Sequence, residues 1–412
     1  MKLKQLLNLK KRINWYSAIL ITFLFLNIGI LFGSKYYSVA KIFIISFYII
    51  AGIAAFLIFY LKKPNKVRLF LFSAMAFVFV MSFITTFYNK RGHIGFKIED
   101  VSEGLPLCHI GIINNLLSIP FLKTVVFPAK LTGSNVTFYP MLLIWLWATI
   151  LIGKGWCSWG CFYGGWDAIF GSVYKKPLIK ISNSTAYKLR FIPYAFLIVI
   201  IISSLFLFVP VFCSYFCPFK TITEFQQVTT LTSWLLFIIS IGSFVSFCIL
   251  MPIFFGKRIW CTYLCPFGAF QSLLGKIFSI FKIKIDNEKC IGCKVCVNTC
   301  KVQGITEETL KKRKFTLNCS LCTECIEKCP KQAIYITAFY NKNSIGSIIE
   351  KVTGKLSEIK ILKNIRLFII NITDDILNPR SIFYFFALAV LFNFFGTFYF
   401  EMIIELKKLF GG

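Results

Sequence analysis

The chain has 412 residues, a formal net charge of +29 and 57% hydrophobic residues. A soluble fold could not cover that much apolar surface, so most of the chain is expected in lipid. Sixteen cysteines do not suit a disulfide scaffold, which belongs to small secreted domains. The positive charge gathers in loops between apolar runs, which follows the positive-inside rule and points to no nucleic-acid partner.

In chain order, Met1 to Arg12 carries five basic residues and no acid. Trp15 to Gly33, Ile42 to Leu61 and Leu69 to Tyr88 read as three membrane helices, with the amino end in the cytoplasm. The loop Lys62 to Arg68 is basic and belongs inside. Asn89 to Tyr139 reads as an external segment. Its apolar middle, Leu105 to Phe127, is broken by Pro106 and Pro120 and is expected at the interface or re-entering; it contains Cys108-His109. Pro140 to Ile152 returns inward and delivers Trp156-Cys157-Ser-Trp-Gly-Cys161. The next loop, with Lys175, Lys176, Lys180, Lys188 and Arg190, is placed inside. Phe191 to Phe212 leads out to Cys213-Ser-Tyr-Phe-Cys217-Pro218. Leu231 to Phe255 comes back to Lys257-Arg258-Ile-Trp260-Cys261-Thr-Tyr-Leu-Cys265-Pro266.

Cys290-Ile-Gly-Cys293-Lys-Val-Cys296-Val-Asn-Thr-Cys300 follows, then Cys319-Ser-Leu-Cys322-Thr-Glu-Cys325-Ile-Glu-Lys-Cys329-Pro330. This is the Cys-x2-Cys-x2-Cys-x3-Cys run of two-cluster ferredoxins, written twice. Three thiolates of one run and the last of the other cap one cube. Cys290, Cys293, Cys296 and Cys329 are thus expected on one [4Fe–4S] cluster, and Cys319, Cys322, Cys325 and Cys300 on a second. Zinc or disulfides would suit this spacing poorly. Lys301 stands where the first run would usually carry proline. Beyond it, residues 341–379 alternate apolar residues with lysines at helical spacing. They read either as an amphipathic helix on the anionic inner leaflet or as a surface helix packed on the ferredoxin unit. Ile382 to Phe400 is the last span.

Trp156 to Gly171 aligns with Trp260 to Gly275: tryptophan, both cysteines and two glycines coincide. Two cysteines four apart share a helical face. Two such copies at one depth supply four ligands, so Cys157, Cys161, Cys261 and Cys265 are assigned to a third cluster near the cytoplasmic surface. Cys213 and Cys217 fall at the outer end, out of reach of the inner pairs. With Cys108 and His109 they read as a candidate outer centre, or alternatively as a disulfide. Cys248 reads as a buried small hydrophobe and His93 as a loop residue. Two histidines leave no room for bis-histidine haem unless both serve one haem, and there is no c-type haem motif.

The expected fold class is a membrane all-α helical bundle of about seven transmembrane helices with a small α+β two-cluster bacterial ferredoxin domain. The expected divisions are 1–88, three helices; 89–139, external; 140–285, the cysteine-bearing core; 286–340, ferredoxin; 341–380, interfacial; and 381–412, the last helix. The chain is placed in the inner (cytoplasmic) membrane, multi-pass, with its N-terminus and ferredoxin unit cytoplasmic.

The motifs Cys213 to Pro218 and Trp260 to Gly268, followed by a two-cluster ferredoxin segment, resemble the polyferredoxin membrane family. It includes NapH-type quinol-dehydrogenase subunits and the membrane half of NosR-type proteins. The resemblance covers roughly Pro140 to Ile336; Phe162 departs from it where proline is expected. It implies an electron conduit between a cytoplasmic donor or membrane quinone and an extracytoplasmic redox partner, within membrane lipid. No acid–base or nucleophile constellation appears, so substrate chemistry is expected to belong to a partner. A CcoG-type metallocentre-assembly or regulatory role is the alternative reading.

Overall fold

Proline is well placed at a helix's first position, where its missing N–H has no partner to lose, and this chain uses the device at Pro64, Pro266 and Pro379. The computed structural model describes residues 15–27, 41–61, 64–82, 129–131, 134–136, 138–174, 177–207, 211–218, 230–338 and 375–410. Helix α1 is Trp15–Asn27, α2 is Lys41–Leu61 and α3 is Pro64–Met81. The stretch expected as a basic loop, Lys62 to Arg68, therefore lies largely in α3. Pro64 opens the helix, and the Glu327 carboxylate accepts from Asn65 N (3.3 Å) and Asn65 Nδ2 (2.5 Å). An anion at a helix N-terminus is favourable. Helix formation turns Arg68 inward, leaving it 5% exposed.

A two-stranded antiparallel hairpin, β1 Ala129–Leu131 and β2 Ser134–Val136, sets Ala129 opposite Val136. Then come α4, Phe138–Ile152, a tight turn at Gly153–Gly155, α5, Trp156–Trp159, and α6, Phe162–Phe170. Gly153 is required in that turn: its φ is +54°, and a Cβ there would meet Ser279 Cβ at 2.7 Å. Next are α7, Asn183–Leu189, capped by Ser182, and α8, Ile192–Leu207. A π-helical turn, Phe212–Phe216, precedes α9, Leu231–Ser243. That helix continues through a second π-helical turn, Phe244–Leu250, into α10, Met251–Phe255. A third, Trp260–Leu264, leads to α11, Pro266–Phe278.

The ferredoxin unit pairs β3, Lys282–Ile285, with β4, Ile334–Thr337, antiparallel, with Ile285 opposite Ile334. Between them lie α12, Val295–Thr299, α13, Glu307–Lys311, and α14, Glu324–Lys328. The last helix, α15, runs Pro379–Leu409, with Pro379 in its first turn and Asn378 as N-cap. Residues 341–374 of the expected interfacial stretch 341–380, like Cys108, His109 and His93, lie outside the described residues.

Among the described residues, five helices are long and apolar enough to cross a membrane: Ile42–Tyr60, Pro64–Met81, Tyr187–Leu207, Phe237–Phe255 and Pro379–Lys407. Within the described residues α1 is shorter, and α4 has 15 residues, below the length usual for a span. Large apolar side chains such as Ile45, Ile49, Phe70, Phe77, Phe206 and Ile238 stand exposed on these helices, a surface that suits lipid and not water. The final helix behaves differently. Phe383, Ala387, Leu388 and Leu391 of α15 are fully buried, and the helix touches α2, α3, α4, α5 and β4. It is the post around which the bundle and the ferredoxin unit are both packed.

Candidate metal centre

Five cysteines share one backbone conformation. The closing cysteine of each Cys-x3-Cys turn is extended: Cys161 (φ −96°, ψ 117°), Cys217 (−67°, 116°) and Cys265 (−78°, 112°). So are the last cysteines of the two ferredoxin runs, Cys300 (−69°, 110°) and Cys329 (−70°, 113°). A following proline imposes this ψ by steric exclusion of the helical region, and Pro218, Pro266 and Pro330 do so. At Cys161 the same angle is held by Phe162, whose ring stacks on Phe79 (centroids 3.6 Å apart, 11° between planes). At Cys300 it is held by Lys301, whose Nζ donates to Gly171 O and whose carbonyl accepts from Arg258 N at 2.9 Å. The expectation that each pair shares one continuous helical face is thus corrected. The first helical turn stops at the second cysteine, which then opens the next helix. Cys265 does so as the N-cap of α11, its Sγ accepting from Gly268 N at 3.3 Å.

These turns bring Cys157, Cys161, Cys261 and Cys265 within electrostatic reach of one another. Trp156, Trp159, Trp260 and Phe267 close round them and exclude water. Arg258, 3% exposed, enters this set. Its Nη2 donates to Cys157 O (2.5 Å) and Cys261 Sγ (3.2 Å), and its Nη1 to Ser158 Oγ (2.9 Å). Asp167, fully buried, accepts from Cys261 N at 2.8 Å through Oδ2. Arg68 donates to Ser158 O at 3.1 Å, and Lys154 is 6% exposed beside the same thiols.

This electrostatic arrangement tests whether a cluster fits. Three cations, Arg68, Lys154 and Arg258, are buried here against one fully buried carboxylate, Asp167. Buried charge is tolerated only when compensated. Four thiolates round a [4Fe–4S] core carry net negative charge and supply that compensation. Arg258 Nε and Trp260 Nε1 are also buried N–H groups with no acceptor among the described residues, in keeping with a non-protein acceptor beside them.

In the ferredoxin unit, Cys290, Cys293, Cys296 and Cys329 line one pocket with Ile285, Leu310 and Ile334. Cys300, Cys319, Cys322 and Cys325 gather at the other end. The duplication is visible in the backbone. Positive φ at Gly292 (70°), Lys294 (58°) and Gln303 (52°) recurs at Leu321 (46°), Thr323 (67°) and Gln332 (50°). Backbone N–H groups point at sulfur in both halves, Gly304 N to Cys300 Sγ (3.1 Å) and Ala333 N to Cys329 Sγ (3.3 Å). Burial pushes the Cys296 thiol up to about 11 and Cys319 up to about 12, so iron must displace protons to bind there.

The Cys319 set faces the bundle. Ser158 Oγ and Ser320 Oγ are 2.7 Å apart, and Trp159 Nε1 donates to Leu321 O (3.2 Å). Lys257 Nζ donates to Cys300 O (2.6 Å). The Cys290 set faces away, with Cys293 and Ile291 exposed.

Cys217 is not out of reach of the other pairs, as the sequence reading had it. Its Sγ lies 3.2 Å from Tyr163 OH, two residues beyond Cys161, and Phe212 meets Trp260 with ring centroids 6.2 Å apart. Of the candidate outer centre, Cys217 alone has a described side chain; Cys108, His109 and the side chain of Cys213 lie outside the described residues. Cys248 is fully buried, within electrostatic reach of Cys217 and Cys265. Sequence reasoning missed the buried cations and Asp167. For Lys154 and Arg258 the signal was the Gly-Lys step before each Trp-Cys, Gly153-Lys154 and Gly256-Lys257-Arg258, which reads equally well as loop charge.

Three stretches, 135–179, 189–228 and 229–286, match the 4Fe-4S binding domain family, and 282–330 matches the 4Fe-4S dicluster domain family. Each of the first three contains one Cys-x3-Cys turn, so the internal repeat has a third copy at Cys213–Cys217 beyond the two that align by eye. An uncharacterized protein of Methanocaldococcus jannaschii is 24% identical over 229 residues, covering 54% of this chain and 78% of the relative. No solved structure matches. The two family matches support an iron–sulfur protein.

Proposed function

We propose, taking as premise that this is an iron–sulfur protein with 4Fe–4S binding domains along one chain, that it is a membrane electron conduit. The observation that carries this reading is the Ser158–Ser320 contact, 2.7 Å between hydroxyl oxygens, each next in sequence to a cysteine of a different thiol set. A bound [4Fe–4S] cluster supplies reversible one-electron transfer. The chain's own part is to hold three thiol sets in series. Cys290, Cys293, Cys296 and Cys329 would hold the first, with exposed Cys293 and Ile291 offering a docking edge to a soluble redox partner. Cys300, Cys319, Cys322 and Cys325 would hold the second, clamped to the bundle by Lys257 and Ser158. Cys157, Cys161, Cys261 and Cys265 would hold the third, kept dry by Trp156, Trp159 and Trp260. Tyr163, stacked on Trp260 and in contact with Cys217 at 3.2 Å, would be the exit toward a quinone or a partner across the membrane. The five apolar spans support placement in a membrane. The test is anaerobic purification with iron analysis and EPR. About twelve irons per chain, four for each [4Fe–4S] centre, are expected; about eight or fewer would remove the third set from the conduit.

A further inference from the structure

We infer that Lys154 is a positioning residue for electron exchange: its ammonium, fixed between the Cys157–Cys265 thiols and the loop before Cys319, raises the reduction potential of both centres together. The inference rests on those thiols holding clusters, as proposed above.

The turn Gly153–Gly155 carries Lys154 into the interior, where it is 6% exposed. Its Nζ donates to Leu317 O at 3.2 Å and to Asn318 Oδ1 at 3.4 Å, both neutral acceptors on the approach to Cys319. Its strongest electrostatic neighbours are Cys157, Cys319, Cys261 and Cys265, so it looks to thiols of both sets. The other buried cations are engaged differently. Arg258 has Asp167 beside it and three donor contacts round Cys157 and Cys261. Arg68 looks to Cys322 and Glu324.

A desolvated ammonium held only by amide oxygens is costly. Negative charge on its neighbours offsets that cost, and each added electron increases it. Screening by salt is weak at a buried site, so the cation favours the reduced form of either neighbouring centre. When one electron leaves one centre and enters the other, Lys154 keeps its three protons, and no co-reactant is needed.

The experiment is an EPR-monitored redox titration of the full-length holoprotein with iron analysis, comparing wild type with Lys154→Met, Lys154→Gln and Lys154→Arg. Both neutral variants are expected to lower the reduced-to-oxidised ratio of the membrane and Cys319-set centres about tenfold at fixed ambient potential. For a one-electron couple that is about 59 mV. Lys154→Arg stays near wild type, and the Cys290-set centre, remote from the lysine, does not move. Iron lost from the neutral variants but kept in Lys154→Arg also supports the role of charge. Unchanged potentials in the neutral variants, a shift confined to one centre, the same shift in Lys154→Arg, or iron loss in all three would overturn it. Wild-type protein lacking a third centre would instead sink the conduit reading itself, so the two failures are distinguishable.

Discussion

The hydroxyls of Ser158 and Ser320 sit 2.7 Å apart in a buried contact that joins residues 162 positions apart in sequence. Ser158 follows Cys157 and Ser320 follows Cys319, so this hydrogen bond is a short polypeptide link between the Cys157–Cys265 thiols and the ferredoxin unit. Ser158 also receives Arg258 on the same oxygen and Arg68 on its carbonyl.

Removing either hydroxyl should loosen that junction unequally. Ser320→Ala is expected to lose about 1 kcal/mol of stability, one net hydrogen bond. Ser158→Ala should lose more, about 2 kcal/mol, because it also strands a charged donor of Arg258. Thermal unfolding of the single and double variants in detergent, read as a double-mutant cycle, checks this. Fully additive losses would mean that the contact does not form.

Replacing Cys161 or Cys265 by Ser should remove about four of about twelve irons while leaving both ferredoxin-type EPR signals in place. The reason is separation: the ferredoxin sets draw no ligand from residues 157–265. Loss of all iron would show instead that the three sets assemble as one unit.

Asp167 is the fully buried carboxylate beside Arg258, and it also accepts from Cys261 N at 2.8 Å. Asp167→Asn keeps the shape but removes the charge. Removing that charge weakens the Coulombic support of Arg258 and the charge-assisted hydrogen bond from Cys261 N, worth about 1.5–3 kcal/mol, so the unfolding temperature of the iron-free protein should fall. An iron-free variant as stable as its parent would mean that Arg258 does not depend on this carboxylate.

At Gly165, α6 meets α3 so closely that a Cβ would lie 2.6 Å from both Ala76 Cβ and Phe72 O. Backbone cannot yield as a flexible side chain can. Gly165→Ala should therefore cost about 1–3 kcal/mol by overpacking and weaken iron retention by the membrane set. Thermal unfolding and iron content at a common temperature report both effects.

Cys217 closes the third copy of the Cys-x3-Cys turn and touches Tyr163 OH at 3.2 Å. Cys217→Ser should leave the roughly twelve irons of the three sets in place, and Tyr163→Phe should likewise remove only the contact; a loss of iron in Cys217→Ser would mean that Cys217 holds a centre of its own. Unchanged iron and an unchanged EPR spectrum in Cys217→Ser would favour a thiol or disulfide role for the Cys213–Cys217 pair.

Local patterns carried much of this molecule. The doubled run from Cys290 to Cys329 states its own pairing, because three thiols within seven residues must share a loop and the fourth must come from elsewhere. Apolar runs announced α2, α8, α9 with α10, and α15, since length and hydropathy are properties of a segment alone. The extended backbone at Cys217, Cys265 and Cys329 was legible in the prolines that follow. Non-local matters were decided only in three dimensions. Phe162 and Lys301 hold the proline-like angle through Phe79, Gly171 and Arg258, residues remote in sequence. Arg68, Lys154 and Arg258 looked like loop charges, because nothing in a lysine or arginine says whether its neighbours will be water or thiols. The nearness of Cys217 to the membrane set was likewise set by how α6 and the turn at Phe212 cross. Sequence spacing fixes which ligands can share a loop; only packing fixes which loops, and which buried charges, come to share a site.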